Sequence, residues 1–600
     1  KPNYGYEIHE KNTQPKQVVK SQSAIMFTEG SSQLAHINSE MPSDDFQRQP
    51  MLPRRLTESG PGIVLFDWDG DGREELFFGN GSGGNIIAYK NKIDSGLVKL
   101  NEPALAKPLS GDALGLAGWV DTNGNRSLIA AVSNHDFPDP VVPTLQIFRP
   151  GVEAPEIIEL PSDNNSDNGS LAVADIDGDG DLDVFVAGRS IPGQFPQPAS
   201  SWLLRCGPSG LKLDKEQSRT FANIGMVTAA AFVRLDPDSF PELVLSTEWG
   251  AIRIFKNSGG KFTDVTQVWG LSQKLGLWQT LAVGDFDNDG RLDIMAGNWG
   301  LNSHLKHGKD RVPYLVHGDI GGDGFYDAIE ARFDITANRL LPRHRMVTLD
   351  LVFPFLRERF PTHRRYGSAT IQQIFSGHLT DAKLLKVSEL ASVVLLNRGE
   401  KFETRSLPIE AQLTPVMGAS VADFDGDGNE DLFLSQNYFA VRVEDYRMDA
   451  GEGLLLQGNG QGGFIANLGY KSGIKVFGEQ RGSAVGDLNA DGRPDLLIAQ
   501  SKAKPKLYFN STGKVGLKLS LNGSVLNPNG QGAITRAIFD NGSKGPARLV
   551  GGSSGRYSHG SASQILGRAK FISEIEVSWP GGKRSRVKVA DITKPLVINN

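Results

Sequence analysis

Residues 285–293 read Asp285-Phe-Asp287-Asn-Asp289-Gly-Arg-Leu-Asp293 and run directly into the apolar residues 294–296. Carboxylates at positions 1, 3, 5 and 9 of such a loop repel one another unless a cation lies between them. A hard cation that takes six to eight oxygen ligands removes this repulsion, and Ca²⁺ fits best. The stretch therefore predicts a calcium loop that joins two β-strands.

The same nine-residue pattern occurs four more times, each time before an apolar run. The copies are Asp67-Trp-Asp69-Gly-Asp71-Gly-Arg-Glu-Glu75, Asp175-Ile-Asp177-Gly-Asp179-Gly-Asp-Leu-Asp183, Asp423-Phe-Asp425-Gly-Asp427-Gly-Asn-Glu-Asp431 and Asp487-Leu-Asn489-Ala-Asp491-Gly-Arg-Pro-Asp495. Asp-Gly turns joining hairpins would explain the glycines but not the acid at position 9. Five copies predict about five bound Ca²⁺ ions.

The predicted ligands are the side chains at positions 1, 3, 5 and 9 and the backbone carbonyl at position 7, which the Gly at position 6 helps to aim. The metal ligands expected are therefore Asp67, Asp69, Asp71, Arg73, Glu75, Asp175, Asp177, Asp179, Asp181, Asp183, Asp285, Asp287, Asp289, Arg291, Asp293, Asp423, Asp425, Asp427, Asn429, Asp431, Asp487, Asn489, Asp491, Arg493 and Asp495. A further acidic loop lacks the acid at position 3 and is a second-rank candidate, with Asp319, Asp323 and Asp327.

These loops are not EF-hands. An EF-hand needs an acid at position 12 and flanking helices. Position 12 is apolar in all five loops, as Phe78, Val186, Ala296, Leu434 and Ile498. The short apolar flanks are typical of buried strands.

Two degenerate copies complete a repeat. They are Trp119-Val-Asp121-Thr-Asn123-Gly-Asn125-Arg-Ser127 and Arg234-Leu-Asp236-Pro-Asp238-Ser-Phe-Pro-Glu242. In the second copy we expect the Arg234 guanidinium to replace the cation by pairing with the acids. The seven units begin at 67, 119, 175, 234, 285, 423 and 487, and most steps suit a four-stranded propeller blade. The fold predicted is all-β, a seven-bladed β-propeller with calcium-binding loops plus a small C-terminal β domain; six or eight blades are the alternatives.

The repeat also suggests domain boundaries. Residues 1–55 are read as an N-terminal extension, in which 24–36 could supply a strand that closes the propeller. Residues 56–510 would form the propeller, with an insertion at about 330–385. Residues 511–600 lack the acidic loop but have strand-like runs at 515–521, 533–539, 572–579 and 585–589, which predicts a separate β domain.

The acidic loops resemble the FG-GAP and VCBS-type repeats of integrin-α-like propellers. The C-terminal part resembles the ASPIC/UnbV domain through Asn527-Pro-Asn-Gly530-Gln-Gly532-Ala533, Gly551-Gly-Ser-Ser-Gly555-Arg-Tyr557-Ser, Leu566-Gly567 and Val577-Ser-Trp579-Pro580-Gly581-Gly. Together the two resemblances cover about residues 24–600. They imply an exported, calcium-stabilised propeller with a C-terminal β module, and no established activity.

The composition agrees with an exported protein. No stretch approaches the ~20 consecutive apolar residues of a membrane span. The lone cysteine, Cys206, excludes an internal disulfide and is read as a small buried hydrophobe. The formal charge is −6, which five Ca²⁺ ions would more than cancel. We expect a secreted, periplasmic or cell-surface location.

The insertion carries a dense basic cluster, and six of its arginines are candidate partner-binding residues: Arg343, Arg345, Arg357, Arg359, Arg364 and Arg365. One interpretation is a solvated cover whose arginines pair with acids at the propeller rim. The other is a binding face for an anionic polysaccharide or an acidic protein. Nucleic acid is not expected, because the rest of the chain is not basic.

Two functions remain open from the sequence. The first is a non-enzymatic binding or assembly module, for example one component of a cell-surface complex. The second is a calcium-dependent carbohydrate-active enzyme such as a polysaccharide lyase. No catalytic residue is predicted, because the chain has no nucleophile elbow, HExxH, phosphate loop or Cys-x-x-Cys motif.

Overall fold

The computed structural model describes residues 25–40, 44–57, 59–92, 95–135, 144–161, 167–305, 311–335, 338–551 and 555–600. Strands dominate the described residues, so the prediction of an all-β chain is confirmed.

The first twenty strands precede the predicted insertion. In chain order they are β1 (Phe27–Glu29), β2 (Ile63–Phe66), β3 (Glu75–Phe78), β4 (Ile87–Lys92), β5 (Gly96–Leu100), β6 (Ala113–Val120), β7 (Arg126–Val132), β8 (Thr144–Phe148), β9 (Glu156–Glu159), β10 (Asn168–Ala174), β11 (Asp183–Gly188), β12 (Trp202–Arg205), β13 (Lys212–Leu213), β14 (Met226–Val233), β15 (Glu242–Gly250), β16 (Arg253–Asn257), β17 (Phe262–Asp264), β18 (Gly276–Leu277), β19 (Thr280–Gly284) and β20 (Asp293–Gly297).

The remaining strands are β21 (Arg311–Gly318), β22 (Asp327–Asp334), β23 (Arg339–Pro342), β24 (Lys383–Lys386), β25 (Val393–Asn397), β26 (Phe402–Ser406), β27 (Val416–Ala422), β28 (Asp431–Gln436), β29 (Leu454–Gly458), β30 (Phe464–Asn467), β31 (Gln480–Gly486), β32 (Asp495–Gln500), β33 (Lys506–Asn510), β34 (Leu517–Asn522), β35 (Ile534–Phe539), β36 (Arg548–Leu549), β37 (Ser558–His559), β38 (Gln564–Leu566), β39 (Ile572–Ser578), β40 (Arg584–Lys588) and β41 (Leu596–Asn599).

Helices are few and short. The α-helices are α1 (Asp45–Arg48), α2 (Lys215–Ser218), α3 (Met346–Asp350), α4 (Leu356–Arg359), α5 (His363–Gly367), α6 (Ile371–Ile374) and α7 (Gly469–Ser472). Single 3₁₀ turns lie at Ser31–Gln33, Arg219–Phe221, Ile409–Gln412, Ala569–Phe571 and Pro580–Gly582. Within the described residues, no helix is long and apolar enough to cross a membrane.

Seven antiparallel sheets follow one another along the chain. Their strand orders are β2-β3-β4-β5, β6-β7-β8-β9, β10-β11-β12-β13, β14-β15-β16-β17, β19-β20-β25-β26, β27-β28-β29-β30 and β31-β32-β33-β1. β1 falls within the stretch expected to supply a closing strand, and Phe27 pairs with Asn510 of β33. The N-terminal and C-terminal ends of this region therefore share one sheet.

The first strands of the seven sheets contact one another in chain order. β2 contacts β6, β6 contacts β10, and the succession continues through β14, β19, β27 and β31, which returns to β2. Apolar side chains fill the space between neighbouring sheets. Between the second and third sheets, for example, Ala117, Ile129 and Leu145 form one cluster with Val184 and Leu204.

A separate sheet lies between β20 and β25, with the order β23-β22-β21-β24. It begins at Arg311, before the insertion predicted at about 330–385. The four helices α3 to α6 pack on this sheet around a shared apolar cluster that includes Phe353, Phe360 and Phe375.

The last part of the chain forms two further sheets, β38-β34-β41 and β36-β35-β39-β40. Their shared core includes Leu519, Ile575 and Trp579. One strand leaves this region: β37 pairs in parallel with β2 of the first sheet, and Ser558 lies opposite Ile63.

Candidate metal centres

The acidic loops all occupy the same place in their sheets. Each of the seven repeat loops joins the first strand of a sheet to the second, as residues 67–75 join β2 to β3 and residues 285–293 join β19 to β20. Since the first strands lie side by side, the loops gather at one end of the group of sheets.

The carboxylate at position 1 organises the turn. Asp67 accepts N–H groups from Gly70 at 2.9 Å and Gly72 at 3.2 Å. Gly70 and Gly72 have φ values of 79° and 84°, a region that glycine enters without a steric penalty. The other loops repeat this arrangement; Asp423, for example, accepts from Gly428 N–H at 2.9 Å. The glycines are therefore required by the backbone whether or not a metal is bound.

The carboxylate at position 9 ties the loop to two strands. Asp293 accepts the Phe286 N–H at 2.8 Å with one oxygen and the Asn397 N–H at 2.7 Å with the other. Asp431 and Asp495 make the equivalent pairs of bonds. These hydrogen bonds explain the acid at position 9 without a metal ion, and the sequence pattern did not predict this role.

Four of the five predicted calcium loops bring three carboxylates together. Asp67, Asp69 and Asp71 have ligand oxygens within 4.8 Å of one another, as do the corresponding acids at 175–179 and 285–289. In the 423 loop the converging acids are Asp423, Asp425 and Asp431. These groups could hold a metal ion, and all their ligand atoms are carboxylate oxygens, which suits Ca²⁺.

The buried carboxyls of these loops are held in an environment that opposes their charge. Burial is the main cause that raises the pKa of Asp285 to about 7 and that of Asp293 to about 8, and neighbouring aspartates add to both shifts. Asp285 Oδ1 and Asp287 Oδ1 are buried without a hydrogen-bond partner. A bound cation would neutralise the charge and use these free oxygens, so the residues fit a calcium ion.

The 487 and 319 loops differ from these four. In the first, Asp487 accepts the Asp491 N–H at 3.0 Å, but Asn489 replaces one acid, and no cluster of three carboxylates forms among the described residues. In the second, Asp319 accepts the Gly322 N–H at 2.7 Å, and Asp319 and Asp323 are exposed. The 319 loop keeps the turn without the converging acids.

A basic side chain from the third strand reaches several of the loops. Lys90 of β4 pairs with Asp69 and with Asp71 at 2.9 Å. Arg205 of β12 lies 2.9 Å from Asp177, and Arg398, just after β25, lies 2.6 Å from Asp287. These cations offset part of the repulsion between the loop acids.

Of the four predicted calcium loops with converging carboxylates, the 423 loop is the one without a cation at the third strand. The third-strand residue is Gln457, a neutral amide that donates to Asp425 Oδ2 at 2.9 Å. The ion pair at this cluster is that of Arg548, 3.7 Å from Asp423 Oδ2. Burial raises the pKa of Asp423 to about 7 and that of Asp431 well above its usual range. The converging acids of this loop are therefore buried or half-buried with a single ion pair among the described residues, at 3.7 Å.

The prediction for Arg234 is wrong. Its guanidinium turns to the C-terminal region and donates to Ser578 Oγ at 3.3 Å and to the Ser578 carbonyl at 3.1 Å. The converging acids are instead paired with Lys256 of β16, which contacts Asp236, Asp238 and, at 3.2 Å, Glu242.

The position of Lys256 follows from strand pairing. Phe255 lies opposite Leu243, so the next residue, Lys256, lies across from Glu242 at loop position 9. A search for basic residues in the third strands would have listed Lys256 as a candidate. Its pairing with Glu242 could be predicted only with the register between β15 and β16 known. The tethered ammonium lies against the three acids that could otherwise hold a metal ion.

The C-terminal region sits directly on the loops. The Ala547 N–H donates to Asp285 Oδ2 at 2.8 Å, and Lys518 lies 3.5 Å from Asp487. Arg548 pairs with Glu430 at 2.6 Å as well as with Asp423. Several candidate ligands therefore also form the contact between the two parts of the chain.

The six candidate arginines of the insertion differ in exposure: Arg343 is half-buried, and the other five are exposed. Arg343 is engaged within the protein, 2.6 Å from the buried Glu330 and in contact with Asp445. Arg357 pairs with Asp350 at 2.9 Å, and Arg359 donates to the Ile374 carbonyl at 2.8 Å. The exposed residues are Arg345, Arg357, Arg359, Arg364 and Arg365. The half-buried Arg343 is thus a structural link rather than a free surface charge.

Cys206, read from the sequence as a small buried hydrophobe, is only half-buried. It packs against the apolar cluster between the second and third sheets. Burial raises the pKa of its thiol to about 12, so it is a poor nucleophile.

Comparison with known proteins identifies one repeat of the chain. Residues 234–296 match the model of the FG-GAP-like repeat, a stretch that includes the Lys256 loop and the 285 loop.

The chain is also similar to cartilage acidic protein 1. It is 24% identical to the Mus musculus protein over 403 residues, covering 63% of this chain and 58% of the relative. It is 24% identical to the Homo sapiens protein over 440 residues, covering 68% of this chain and 61% of the relative. The chain thus spans about three fifths of the length of these curated relatives.

Solved structures give weaker likenesses. The V. cholerae biofilm matrix protein Bap1 aligns over 90% of this chain and 100% of its own, with 13% identity and a TM-score of 0.36. The Bacillus licheniformis rhamnogalacturonan lyase PL11 aligns over 82% of this chain and 76% of its own, with 11% identity and a TM-score of 0.34. Scores this low carry no argument about architecture, so what the comparisons establish is an FG-GAP-like repeat at residues 234–296.

Proposed function

We propose that the seven successive sheets are the blades of one β-propeller, closed by β1, and that the two C-terminal sheets form a separate β domain of the ASPIC/UnbV type. The cyclic order of contacts between the first strands supports this arrangement. The shared sheet of β1 and β33 supports closure, because pairing the two ends of the ring leaves no open edge.

The protein acts in this proposal as an exported, calcium-stabilised binding or assembly module for a protein or polysaccharide partner. The observation that carries it is the set of converging carboxylates in five of the repeat loops, which lie at one end of the sheets. The acids are tied into the backbone by hydrogen bonds, which favours a structural role for the metal over a catalytic one. Ca²⁺ in the millimolar range outside cells would fill even weak sites.

The insertion is the proposed partner-binding surface. Arg364 and Arg365 are exposed on α5, and Arg345 lies exposed nearby, just before α3. Guanidinium groups recognise carboxylate and sulfate groups through paired N–H donors. An anionic polysaccharide or an acidic protein surface is therefore the partner class that this surface suits.

Affinity electrophoresis in gels containing acidic or neutral polysaccharides tests the proposal. We expect retardation by an acidic polysaccharide that is lost in Arg364→Glu/Arg365→Glu. The matched control Lys212→Glu/Lys215→Glu changes the same charge on two exposed residues, Lys212 in β13 and Lys215 in α2, and should keep binding. Equal loss of binding in both variants would show that the interaction depends only on the net charge of the protein.

The same incubations separate a binding module from a lyase. A lyase would release unsaturated sugar products, which absorb in the ultraviolet. Sustained release by the wild-type protein would overturn the assignment as a binding module, whereas binding without product supports it.

A further inference from the structure

A segment of the C-terminal region passes among the first strands of the sheets. The Gly555 carbonyl accepts the Ser170 hydroxyl at 2.5 Å, and the Tyr557 carbonyl accepts the Ile63 N–H at 2.7 Å. The Ser561 N–H then donates to the Val485 carbonyl at 3.1 Å. Residues 555–561 therefore contact the first strands of three different sheets.

Arg556, within this segment, is a buried cation without a carboxylate. It is 5% exposed, and its hydrogen bond among the described residues goes to the neutral amide oxygen of Gln279, at 2.5 Å. Its guanidinium also lies 4.7 Å from the ring centroid of Tyr557. A buried guanidinium that lacks an anion is strongly disfavoured in a low-dielectric interior.

Three other buried arginines near Arg556 add to the positive charge of this part of the interior. Arg54, Arg189 and Arg481 are each less than 6% exposed. Burial is the main cause that lowers the pKa of Arg556 to about 10, and the charges of Arg189 and Arg481 contribute to it.

The nearby acids are Glu248, Glu479 and Asp167, and among the described residues none of them forms an ion pair with Arg556. The charge of Asp167 acts on Arg189, and that of Glu248 acts on Arg556 as well. Glu248 pairs with Arg54 and, at 3.2 Å, with Arg189. Glu479 pairs with Arg481 at 2.9 Å. Among the described residues, this leaves Arg556 as the guanidinium of the group that has no acid of its own.

Hydrogen-bond donors are also in excess here. The Nε atoms of Arg54, Arg189 and Arg481 are buried without a partner, and so is the Tyr557 hydroxyl. Tyr557 is 1% exposed. Buried donors are nearly always satisfied in folded proteins, so this group lacks an acceptor.

An approach from the surface exists at Glu248. This residue borders a cavity of about 660 Å³ that is also lined by Trp249 and Pro198. The cavity thus reaches Glu248, the acid that pairs with Arg54 and Arg189, and the burial of the arginine group excludes a bulky ligand.

We propose that Arg556, together with Arg481 and the Tyr557 hydroxyl, binds one small oxyanion, of the carboxylate or sulfate class, at the centre of the ring of first strands. The anion would supply the missing negative charge and accept from the unpartnered donors. The proposal is independent of the partner surface on the insertion. Two sources share this chemistry, a free inorganic or organic ion and the acidic group of a sugar.

Isothermal titration of calcium-loaded protein with sodium sulfate tests the site, with sodium chloride at equal ionic strength as the reference. We expect saturable binding of one sulfate per chain, and at least tenfold weaker binding in Arg556→Gln. Arg586→Gln is the matched control, because Arg586 pairs with Glu574 on the surface and is 61% exposed in its side chain. This control should bind sulfate as the wild type does.

Glucuronate and a glucuronate-terminated oligosaccharide distinguish the two sources. Binding of sulfate and glucuronate alone indicates a free ion, and binding of the oligosaccharide at the same site indicates a sugar group. A thermal melt checks that Arg556→Gln is folded. We expect the variant to be at least as stable as the wild type without sulfate, because it removes an uncompensated buried charge. The absence of saturable sulfate binding, or equal binding by wild type and Arg556→Gln, would overturn the proposal.

Discussion

At the scale of single residues, the loops are distinguished by what lies opposite position 9. Lys256 lies there in the fourth sheet and contacts three acids, whereas Gln457 occupies the equivalent place in the sixth sheet. An ammonium group tethered in this position neutralises the loop acids as a metal ion would, and a neutral amide does not. The same loop pattern therefore predicts different metal dependence in different sheets.

Replacing Lys256 by Met should convert its loop from metal-independent to metal-dependent. Without the ammonium, Asp236, Asp238 and Glu242 repel one another, so the melting temperature in EDTA should fall by several degrees. Calcium should then restore stability and bind with about one additional ion per chain, measured by equilibrium dialysis. Lys261→Met, on an exposed residue of the same sheet, is the control. An unchanged response to calcium would refute the role given to Lys256.

The 423 loop should be the most sensitive of the predicted sites. Asp425→Ala removes one converging acid from a cluster without a close third-strand cation, whereas Asp69→Ala removes one that Lys90 already neutralises. We expect both variants to lose about one calcium ion. The calcium-dependent rise in melting temperature should shrink more in Asp425→Ala. A larger effect in Asp69→Ala would contradict this order.

The buried histidines predict a loss of stability in acid. Burial lowers the pKa of His559 to about 4, and the neutral ring lies 3.4 Å from the Leu171 carbonyl. The unfolded chain takes up this proton near the ordinary pKa of about 6.5. The stabilisation is therefore complete above about pH 6.5 and is lost as the pH falls toward 4.

His559→Gln tests this directly, since glutamine keeps a hydrogen-bond donor but does not titrate. Between pH 7 and pH 4 the wild type should lose up to about 3 kcal/mol more of its unfolding free energy than the variant does, measured by urea denaturation. The difference between the two proteins removes any contribution from calcium release that they share. Parallel pH profiles would exclude a contribution from His559.

At the scale of elements, the C-terminal sheets and the acidic loops form one contact. The Ala547 N–H, Arg548 and Lys518 all reach loop carboxylates. A metal ion that fixes these carboxylates also fixes the surface on which the C-terminal sheets rest. The two parts of the chain should therefore separate more readily when calcium is removed.

Limited proteolysis measures this coupling. Chelation should speed cleavage between β33 and β34, at residues 511–516, by severalfold, because loosened loops release the C-terminal sheets. Cleavage at the exposed segment around Val443, which lies away from the acidic loops, is the internal control and should not change. Equal cleavage at 511–516 with and without EDTA would show that calcium does not hold the contact.

At the scale of the whole molecule, the sequence predicted the features that local patterns specify better than it predicted contacts between distant residues. The acidic loops were predictable because their acids lie within nine residues, and strands were expected at 533–539 and 572–579, where β35 and β39 lie.

The contacts that the sequence could not predict depend on the register between distant strands. The pairing of Lys256 with Glu242 follows from strand pairing, and the contact of Arg234 with Ser578 joins residues more than three hundred positions apart. The burial of Arg556 among other arginines likewise arises from a C-terminal segment that enters the group of first strands. No local pattern specifies such contacts.

The measurement that tests the account most directly is the thermal melt of the purified protein with and without EDTA. Each ion that binds the folded chain preferentially raises its stability. We therefore predict a fall of many degrees on chelation and recovery when Ca²⁺, but not Mg²⁺, is added in excess, since Mg²⁺ demands a tighter octahedral site. An EDTA melt that superimposes on the calcium melt would contradict the claim that these loops are calcium sites that stabilise the fold.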